Sequence, residues 1–464
     1  MPSVPHAVFI NIAATGHMNP TLPLVKELCH RGAKVTYFVP ESMRSIVEAA
    51  GAGWKDVEDV LVPHRSLMEE EFGLAADAPA EDIEFPKYTL PLAAKFLPRL
   101  IADLKSLLPT PSAIICDPFM PQALVAARVL GIPAVGMVTM PGPGVIAKPA
   151  SLIEAWEASP LVQKGRQQIL ENYGYDALEH GMLMEFYSPE LNLVTTVKDL
   201  FAPPRSDLQI QRFGHFKSWK HVGPLMDLSV KRVAHVSAKE DARALPWNVI
   251  DAEVKAGKRL LYVSMGTVAN SFFYDKVFGD NGLLNGTAEL TGKAFLQHVF
   301  GKIFEALGSE KQLIVLMATG PQRDVLEGLP EAPKNFILRE TMPQLEVLSK
   351  CHGFITHGGA NSMHEAFGYG VPMAVVPVFG DQPSNADNVA SCGAGFSFCQ
   401  PLVSLTVDAV KKAVTAILDP EASNCYCSAA GVMMQHMKEA GGVGAAADAI
   451  EDLVADKARK LGGA

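Results

Sequence analysis

The sequence predicts an α/β protein with two domains, each built around a parallel sheet. The chain has 464 residues, more than one ordinary core holds, and this length suits two domains of about 200 residues each. Short apolar segments of strand length alternate with helical patterns in both halves of the chain. A polar, proline-punctuated stretch, residues 201–248, separates the two runs of alternation.

The first half begins with a predicted strand at residues 6–13, HAVFINIA. A helix is predicted from Pro20 to His30, with Asn19 as its cap and Arg31-Gly32 at its end. Further strands are AKVTYFVP, SAIICD and PAVGMVTM, and the helix MPQALVAARVLG lies between the last two. Strands without polar alternation are typical of a parallel sheet covered on both faces.

Two stretches of the first half, residues 61–100 and 141–190, lose this pattern and mix aromatic residues with proline and charge. Long irregular insertions in an α/β domain commonly carry binding residues. We therefore expect these insertions to supply a ligand pocket.

Alternation restarts in the second half with the strands RLLYVSMG, QLIVLMATG, NFILRE, HGFIT and MAVVPV. Helices are predicted near residues 294–307 and 361–369. The predicted division of the chain is an N-terminal domain (1–215), a linker (216–248), a C-terminal domain (249–430) and a helical segment (431–464) that packs back on the N-terminal domain.

The composition of the chain argues against some classes of function and indicates a cellular compartment. A net charge of −10 argues against a general binder of nucleic acid or of anionic membranes. The seven cysteines are odd in number and form no C-x-x-C, which is typical of free thiols in a reducing compartment. We find neither a signal-peptide pattern nor an apolar run of the roughly 18 residues that a membrane span needs. We expect a cytosolic protein.

The segment Thr356–Gln382, THGGANSMHEAFGYGVPMAVVPVFGDQ, joins glycines and polar side chains between two apolar runs. Glycines at a strand-to-helix turn let the backbone approach a ligand, and the following helix N-terminus suits phosphate. A structural explanation stays open, since Ser362 and Glu365 match a capping box. A nicotinamide site is disfavoured because no G-x-G-x-x-G follows the first strand.

This segment resembles the donor-binding signature of family 1 UDP-glycosyltransferases, in particular the macrolide-type and plant secondary-metabolite branches. The family pattern is H-x-G-x-N-S-x-x-E, then G-V-P and D/E-Q. The matching residues are His357, Gly359, Asn361, Ser362, Glu365, Gly370-Val371-Pro372, Asp381 and Gln382. Further stretches resemble the family at GHMNPTLPLVKELCHRGAKVTYF, IICDPFMPQALVAARVLGIPAV, and VGPL followed by LYVSMGT.

The resemblance implies the GT-B fold, in which two Rossmann-like domains face each other across the active site. It implies that His357, Asn361, Ser362 and Thr267 contact the donor phosphates and Glu365 the ribose. Asp381 and Gln382 would hold the sugar, and Gln344 with the Met342 backbone would face the base and ribose. Acceptor-side candidates are Phe85, Tyr88, Met140 and Phe379. One departure is Thr341, where the family usually has a tryptophan that stacks on uracil.

In this family the positions of His17 and Asp117 are the catalytic base and its partner. The chemistry is coherent from the residues themselves. A hydroxyl is a poor nucleophile until a base removes its proton, and neutral imidazole suits that task near pH 7. A carboxylate on the far ring nitrogen fixes the tautomer and stabilises the imidazolium. Both residues follow predicted strands, so we expect them to meet at one sheet edge.

The sequence therefore predicts an inverting glycosyltransferase that moves a sugar, most simply glucose, from UDP to a hydroxyl of an apolar small molecule. The UDP-sugar is a co-substrate, and we expect no other cofactor and no metal, because the chain has no D-x-D. Two alternatives are a nucleotide-sugar epimerase on the same fold and a nucleotide-sugar-binding protein without catalysis. The acceptor, O- against N-, S- or C-transfer, and the oligomeric state stay open.

Overall fold

The computed structural model divides into two compact units, Met1–Met226 with Ala440–Ala464, and Asp227–Glu439. The last helix of the chain thus belongs to the first unit. The residues that the structure describes are 3–57, 65–73, 85–143, 150–179, 181–202, 207–213, 218–226, 245–266, 274–275, 290–419, 421 and 426–462.

The first unit contains a seven-stranded sheet and a separate two-stranded pair. Its strands are β1 (His6–Ile10), β2 (Lys34–Phe38), β3 (Gly53–Lys55), β4 (Ala113–Cys116), β5 (Ala134–Val138), β6 (Gly181–Met182), β7 (Glu185–Phe186), β8 (Leu191–Val194) and β9 (Trp219–His221). The order across the large sheet is β3-β2-β1-β4-β5-β8-β9. Every neighbouring pair in it is parallel, while β6 and β7 are antiparallel.

Helices cover both faces of this sheet. They are α1 (Thr15–Met18), α2 (Thr21–His30), α3 (Arg44–Ala49), α4 (Arg65–Phe72), α5 (Thr89–Ser106), α6 (Pro121–Leu130), α7 (Ala150–Glu157), α8 (Pro160–Tyr173), α9 (Asp207–Phe213) and α18 (Gly442–Gly462). Successive residues of β1 point to opposite faces. Val8 and Ile10 pack into a core with α5 and α6, whereas Ala7 and Phe9 pack into a core with α2 and α18.

The second unit contains a six-stranded sheet in which every neighbouring pair is parallel. Its strands are β10 (Arg259–Ser264), β11 (Leu313–Ala318), β12 (Phe336–Arg339), β13 (Gly353–Thr356), β14 (Met373–Val375) and β15 (Gly395–Ser397). Its helices are α10 (Trp247–Lys255), α11 (Gly292–Leu307), α12 (Gln344–Leu348), α13 (Ala360–Gly368), α14 (Gln382–Ser391), α15 (Pro401–Ser404), α16 (Val407–Leu418) and α17 (Tyr426–Glu439). The strand order is β12-β11-β10-β13-β14-β15.

The register of the strands brings the candidate site segments to common sheet edges. In the first unit Ile10 at the end of β1 pairs with Cys116 at the end of β4. In the second unit Thr356 at the end of β13 pairs with Val375 of β14, and also with Ser264 of β10. The predicted α/β class with two parallel sheets is confirmed.

The two stretches predicted to be irregular contain long helices. α5 has 18 residues and α8 has 14. Pro98 lies inside α5, and its buried apolar side chains still recur at helical spacing: Leu90, Ala93, Leu97, Leu100, Ile101 and Leu104. Proline interrupts the sequence pattern, but the helix is stabilised by burial of this apolar stripe in the core that also contains Val8 and Ile10.

The predicted cap at Asn19 is wrong, and the capping-box explanation of Ser362 does not hold either. Residues Thr15–Met18 form a short helix, and Asn19 closes it by donating its backbone N–H to Thr15 O. α2 then begins after Pro20 with no side-chain cap. Likewise α13 begins one residue after Gly359, so Ser362 lies inside its first turn and is no capping residue. Across the described ranges, none of the helices is both long and apolar enough to cross a membrane.

Candidate active site and donor site

His17 and Asp117 form a hydrogen-bonded pair at the carboxyl-terminal edge of the first sheet. His17 lies on α1 after β1, and Asp117 directly follows β4. Nδ1 of His17 is 2.7 Å from Oδ2 of Asp117, and the side chains are 17% and 1% exposed. A carboxylate accepts hydrogen bonds, so the hydrogen is on Nδ1 and the lone pair of neutral imidazole is on Nε2. This tautomer is the one that a general base needs.

Buried groups hold this pair in place. The other carboxylate oxygen of Asp117 accepts from the backbone N–H of Phe119 at 2.8 Å. The Phe119 ring lies 5.0 Å from the His17 ring. A carboxylate fixed by two donors keeps its plane, and with it the orientation of the imidazole.

A polar cluster beneath α1 anchors the backbone that carries His17. Asn11 Nδ2 donates to the carbonyl of His17 at 3.4 Å and to Tyr37 Oη at 2.9 Å. Thr21 Oγ1 donates to Met18 O at 2.7 Å and lies 2.7 Å from Tyr37 Oη. Burial raises the pKa of the Tyr37 phenol, so it stays a neutral hydrogen-bonding group. No sequence motif marks these supporting residues.

His357 lies between two glycines in the second unit. A Cβ on Gly266 would come within 2.5 Å of His357 Nε2, and a Cβ on Gly359 would do the same. Glycine at both positions therefore leaves the space that the ring occupies. Burial lowers the pKa of His357 to about 4, while a hydrogen bond with the Ser264 backbone raises it. The imidazole is neutral at pH 7.

The turn between β13 and α13 brings the start of a nine-residue helix to the sheet edge. Gly358 has φ +81°, a left-handed conformation that favours glycine. A Cβ at Gly358 would also lie 2.5 Å from Val375 Cγ1. Asn361 and Ser362 lie in the first turn of α13. Helix N-terminal N–H groups at such a turn favour an anion.

Gln344 connects α12 to α13. Its Nε2 donates to Ser362 Oγ at 3.1 Å and to Glu365 Oε2 at 2.7 Å. The buried Tyr262 donates to Gln344 Oε1 at 3.3 Å. Glu365 itself is only 1% exposed. The structure thus brings three predicted donor residues into one network and adds Tyr262 to it. The fourth candidate of this region, Met342, is buried just before α12.

Asp381 and Gln382 lie at the start of α14. Gln382 Oε1 accepts from the backbone N–H groups of Val378 at 2.8 Å and Phe379 at 3.2 Å. Asp381 Oδ2 accepts from Asn385 Nδ2 at 2.9 Å. The oxygen of Gln382 therefore shapes the loop after β14, and the amide nitrogen is the end suited to a ligand hydroxyl.

The remaining candidates are spread over both units. Thr267 lies outside the described residues, as does the side chain of Phe85. Tyr88 packs its ring edge against Phe72, with centroids 5.3 Å apart. Met140 is buried after β5, and Phe379 packs against the core of the second unit. In the described ranges we find no group of three His, Cys, Asp or Glu side chains that could hold a metal ion.

The chain is similar to known glycosyltransferases. Residues 302–426, which hold most of the donor-site candidates, match the model of the family described as "UDP-glucoronosyl and UDP-glucosyl transferase". The chain is 28% identical over 448 residues to NDP-glycosyltransferase YjiC of Bacillus subtilis (strain 168), covering 96% of each. It is 25% identical to the oleandomycin glycosyltransferase of Streptomyces antibioticus, covering 96% of this chain and 90% of that protein.

A solved structure gives the same answer for the fold. The crystal structure of the glycotransferase of kitacinnamycin superposes with a TM-score of 0.68 at 23% identity, covering 98% of this chain and 100% of that one. The resemblance read from the sequence is confirmed. The chain is a glycosyltransferase of GT-B fold, and its residues 302–426 match the family of UDP-glucoronosyl and UDP-glucosyl transferases.

Proposed function

We propose that the protein transfers glucose from UDP-glucose to a hydroxyl group of an apolar small molecule, with inversion at the anomeric carbon. The observation that carries this proposal is the 2.7 Å hydrogen bond between His17 and Asp117. This bond sets the basic lone pair of His17 on Nε2. A protein that only binds a nucleotide sugar has no use for such a base.

In the proposed reaction, Nε2 of His17 takes the proton of the acceptor hydroxyl. The hydroxyl oxygen forms a bond to the anomeric carbon as the bond from that carbon to the β-phosphate oxygen breaks. UDP leaves with the bonding electron pair, and Asp117 stabilises the imidazolium. One displacement at an α-linked donor yields a β-glycoside.

The donor site proposed here uses the second unit. The N-terminus of α13 and the neutral His357 would face the diphosphate, and the helix dipole would stabilise the charge that develops on departing UDP. Glu365, held by Gln344 at 2.7 Å, would accept from the ribose hydroxyls. Asp381 and Gln382 would bind the sugar hydroxyls. The preference for uridine follows the name of the matched family.

Two further parts of the proposal are the acceptor and the compartment. We assign the acceptor to apolar small molecules because the insertions of the first unit carry aromatic residues, such as the packed pair Phe72 and Tyr88. A cytosolic location follows from the odd number of cysteines without a C-x-x-C pair.

Incubation with UDP-glucose and a panel of phenols and aliphatic alcohols tests the function. We expect UDP release together with an acceptor product heavier by one hexosyl unit, and with His17→Ala a rate lower on the order of 10²–10⁴-fold for the aliphatic alcohols. Release of an epimerised UDP-sugar without any acceptor would favour the epimerase. Tight donor binding with no turnover across the panel would favour the non-catalytic alternative.

A further inference from the structure

Asn385 is a buried polar side chain that the sequence pattern did not single out. It lies on α14, one turn after Asp381, and is 0% exposed. Its Nδ2 donates to the carbonyl of Gly358 at 2.8 Å and to Asp381 Oδ2 at 2.9 Å. Because both partners are acceptors, the amide nitrogen must face them, and Oδ1 is left buried with no hydrogen-bond partner among the described residues. The reversed amide would set its oxygen against a carbonyl and a carboxylate.

These two hydrogen bonds join two loops that leave adjacent strands. Gly358 lies in the turn after β13, and Asp381 closes the loop after β14. The first loop leads into α13, the proposed diphosphate site, and the second carries the proposed sugar ligands. One amide nitrogen therefore links the two loops, in addition to the pairing of β13 with β14.

The bond to Asp381 replaces an ordinary capping bond. Asp381 is the N-cap residue of α14, yet its side chain makes no capping bond to that helix. Aspartate at this position usually accepts from the N–H groups of the first turn. Here Oδ2 accepts from Asn385 instead, so the carboxylate is oriented by a residue of the helix interior.

We propose that Asn385 is a positioning residue for sugar recognition. It orients the Asp381 carboxylate toward the hydroxyl groups of the donor sugar and keeps it in register with the turn at Gly358. Asn385 acts through Asp381, since its own side chain is enclosed by protein. The inference deepens the proposed function and rests on the assignment of Asp381 as a sugar ligand.

The experiment compares the dissociation constants of UDP-glucose and of UDP alone by calorimetry. Their ratio isolates the contribution of the sugar, because the nucleotide is common to both ligands. In Asn385→Ala we expect UDP-glucose to lose about tenfold more affinity than UDP, the worth of one hydrogen bond to a charged group. The double variant Asp381→Ala/Asn385→Ala should have the same ratio of dissociation constants as the single variant Asp381→Ala.

Asn388→Ala, on the same helix one turn further, is the matched control and should keep the wild-type ratio. Asn385→Leu fills the volume of the amide without its donors, and it gives the answer if the alanine variant does not fold. Either Asn385 variant with a lowered melting temperature and an unchanged ratio would reduce Asn385 to a structural residue. The same conclusion would follow if Asn385→Ala lowered the affinity for UDP-glucose relative to UDP by an equal factor in the Asp381→Ala protein and in the wild type. Failure of the wild-type protein to bind any UDP-sugar would instead overturn the proposed function, and this inference with it.

Discussion

The side-chain amide of Gln344 donates a hydrogen bond to the Glu365 carboxylate, with 2.7 Å between Nε2 and Oε2. This bond ties the first residue of α12 to the interior of α13. Tyr262, stacked on Phe354 with ring centroids 4.8 Å apart, donates to the other end of the same amide at 3.3 Å. In the proposed donor site, a carboxylate held this way would already be oriented for the ribose hydroxyls, which would reduce the entropy lost on binding.

Replacing Gln344 with Glu should weaken UDP binding by about tenfold at pH 8, because two carboxylates in contact repel each other and displace Glu365. Part of the loss should be recovered at pH 6, where one carboxyl group of the pair can hold a proton and donate it to the other. Titration of UDP into both proteins at the two pH values measures this. Gln435→Glu, on the exposed face of α17, is the control. Equal affinity of Gln344→Glu and wild type at pH 8 would contradict the preorganised network.

Replacing His17 with Ala should lower turnover on the order of 10²–10⁴-fold, the usual worth of a positioned general base. The test acceptor is a weakly acidic alcohol, since an acidic phenol ionises without help. UDP affinity should stay within a factor of about two, because His17 is assigned to the acceptor. Steady-state kinetics and UDP titration separate the two effects, with His436→Ala of α17 as the control. Near-normal turnover of the alcohol would remove His17 from its role.

The edge at which the site residues meet was predictable from the sequence. Apolar strands without polar alternation predict a parallel sheet, and the ends of such strands place His17 near Asp117 and His357 near Asp381. The pairing of β1 with β4 and of β13 with β14 confirms the common edges. The prediction of a common sheet edge succeeds because the period and length of a strand can be read from its local sequence.

The contacts that orient the site were not predictable. Gln344 follows Pro343 in the sequence and offers no sign that its amide reaches Glu365, 21 residues away. Ser362 matched a capping box, yet its hydroxyl accepts from Gln344. No local pattern marks Asn385, because its two partners come from different loops. Such long-range polar contacts depend on how elements dock, which no local pattern encodes.

Activity should survive EDTA. The diphosphate charge is assigned to the N-terminus of α13, whose N–H groups and dipole are part of the fold. The measurement is the initial rate after dialysis against EDTA, compared with the rate after dialysis against buffer with Mg²⁺. We expect the two rates to agree. A complete loss that Mg²⁺ or Mn²⁺ restores would overturn this assignment.

The stability of the protein should fall on acidification, in part through His364. Burial lowers the pKa of this side chain from 6.5 to about 4. Between pH 6.5 and pH 4 the side chain is protonated in the unfolded chain but stays neutral in the folded chain. Its contribution to stability is therefore full above pH 6.5 and is lost as the pH falls toward 4. His364→Asn should remove on the order of 2 kcal/mol from the change in unfolding free energy between pH 7 and pH 5. Urea unfolding at both pH values measures this change, and His30→Asn, at an exposed histidine, is the control. An equal change in unfolding free energy between pH 7 and pH 5 for wild type and His364→Asn would contradict the prediction.

Thr341 sits where the family that the sequence resembles usually has a tryptophan on which uracil stacks. Its Oγ1 is buried and has no hydrogen-bond partner in the described part of the chain. A threonine offers no flat face, and a stacked aromatic is worth about 1–3 kcal/mol per base in nucleic-acid sites. The neighbouring Arg339 donates from Nη1 back to Leu338 O at 2.8 Å, which holds one edge of its guanidinium against its own strand.

We therefore expect loose discrimination between UDP- and TDP-sugars in the wild-type protein. Thr341→Trp should tighten UDP binding about tenfold for each 1.4 kcal/mol of stacking that it supplies. Titration of UDP and TDP into both forms measures the effect, and Thr341→Val, which replaces the hydroxyl by a methyl group of similar size, is the control for loss of the hydroxyl. If Arg339 or another side chain already covers the base, the added indole will clash with it. Unchanged or weaker UDP binding by Thr341→Trp would then reject an open stacking position.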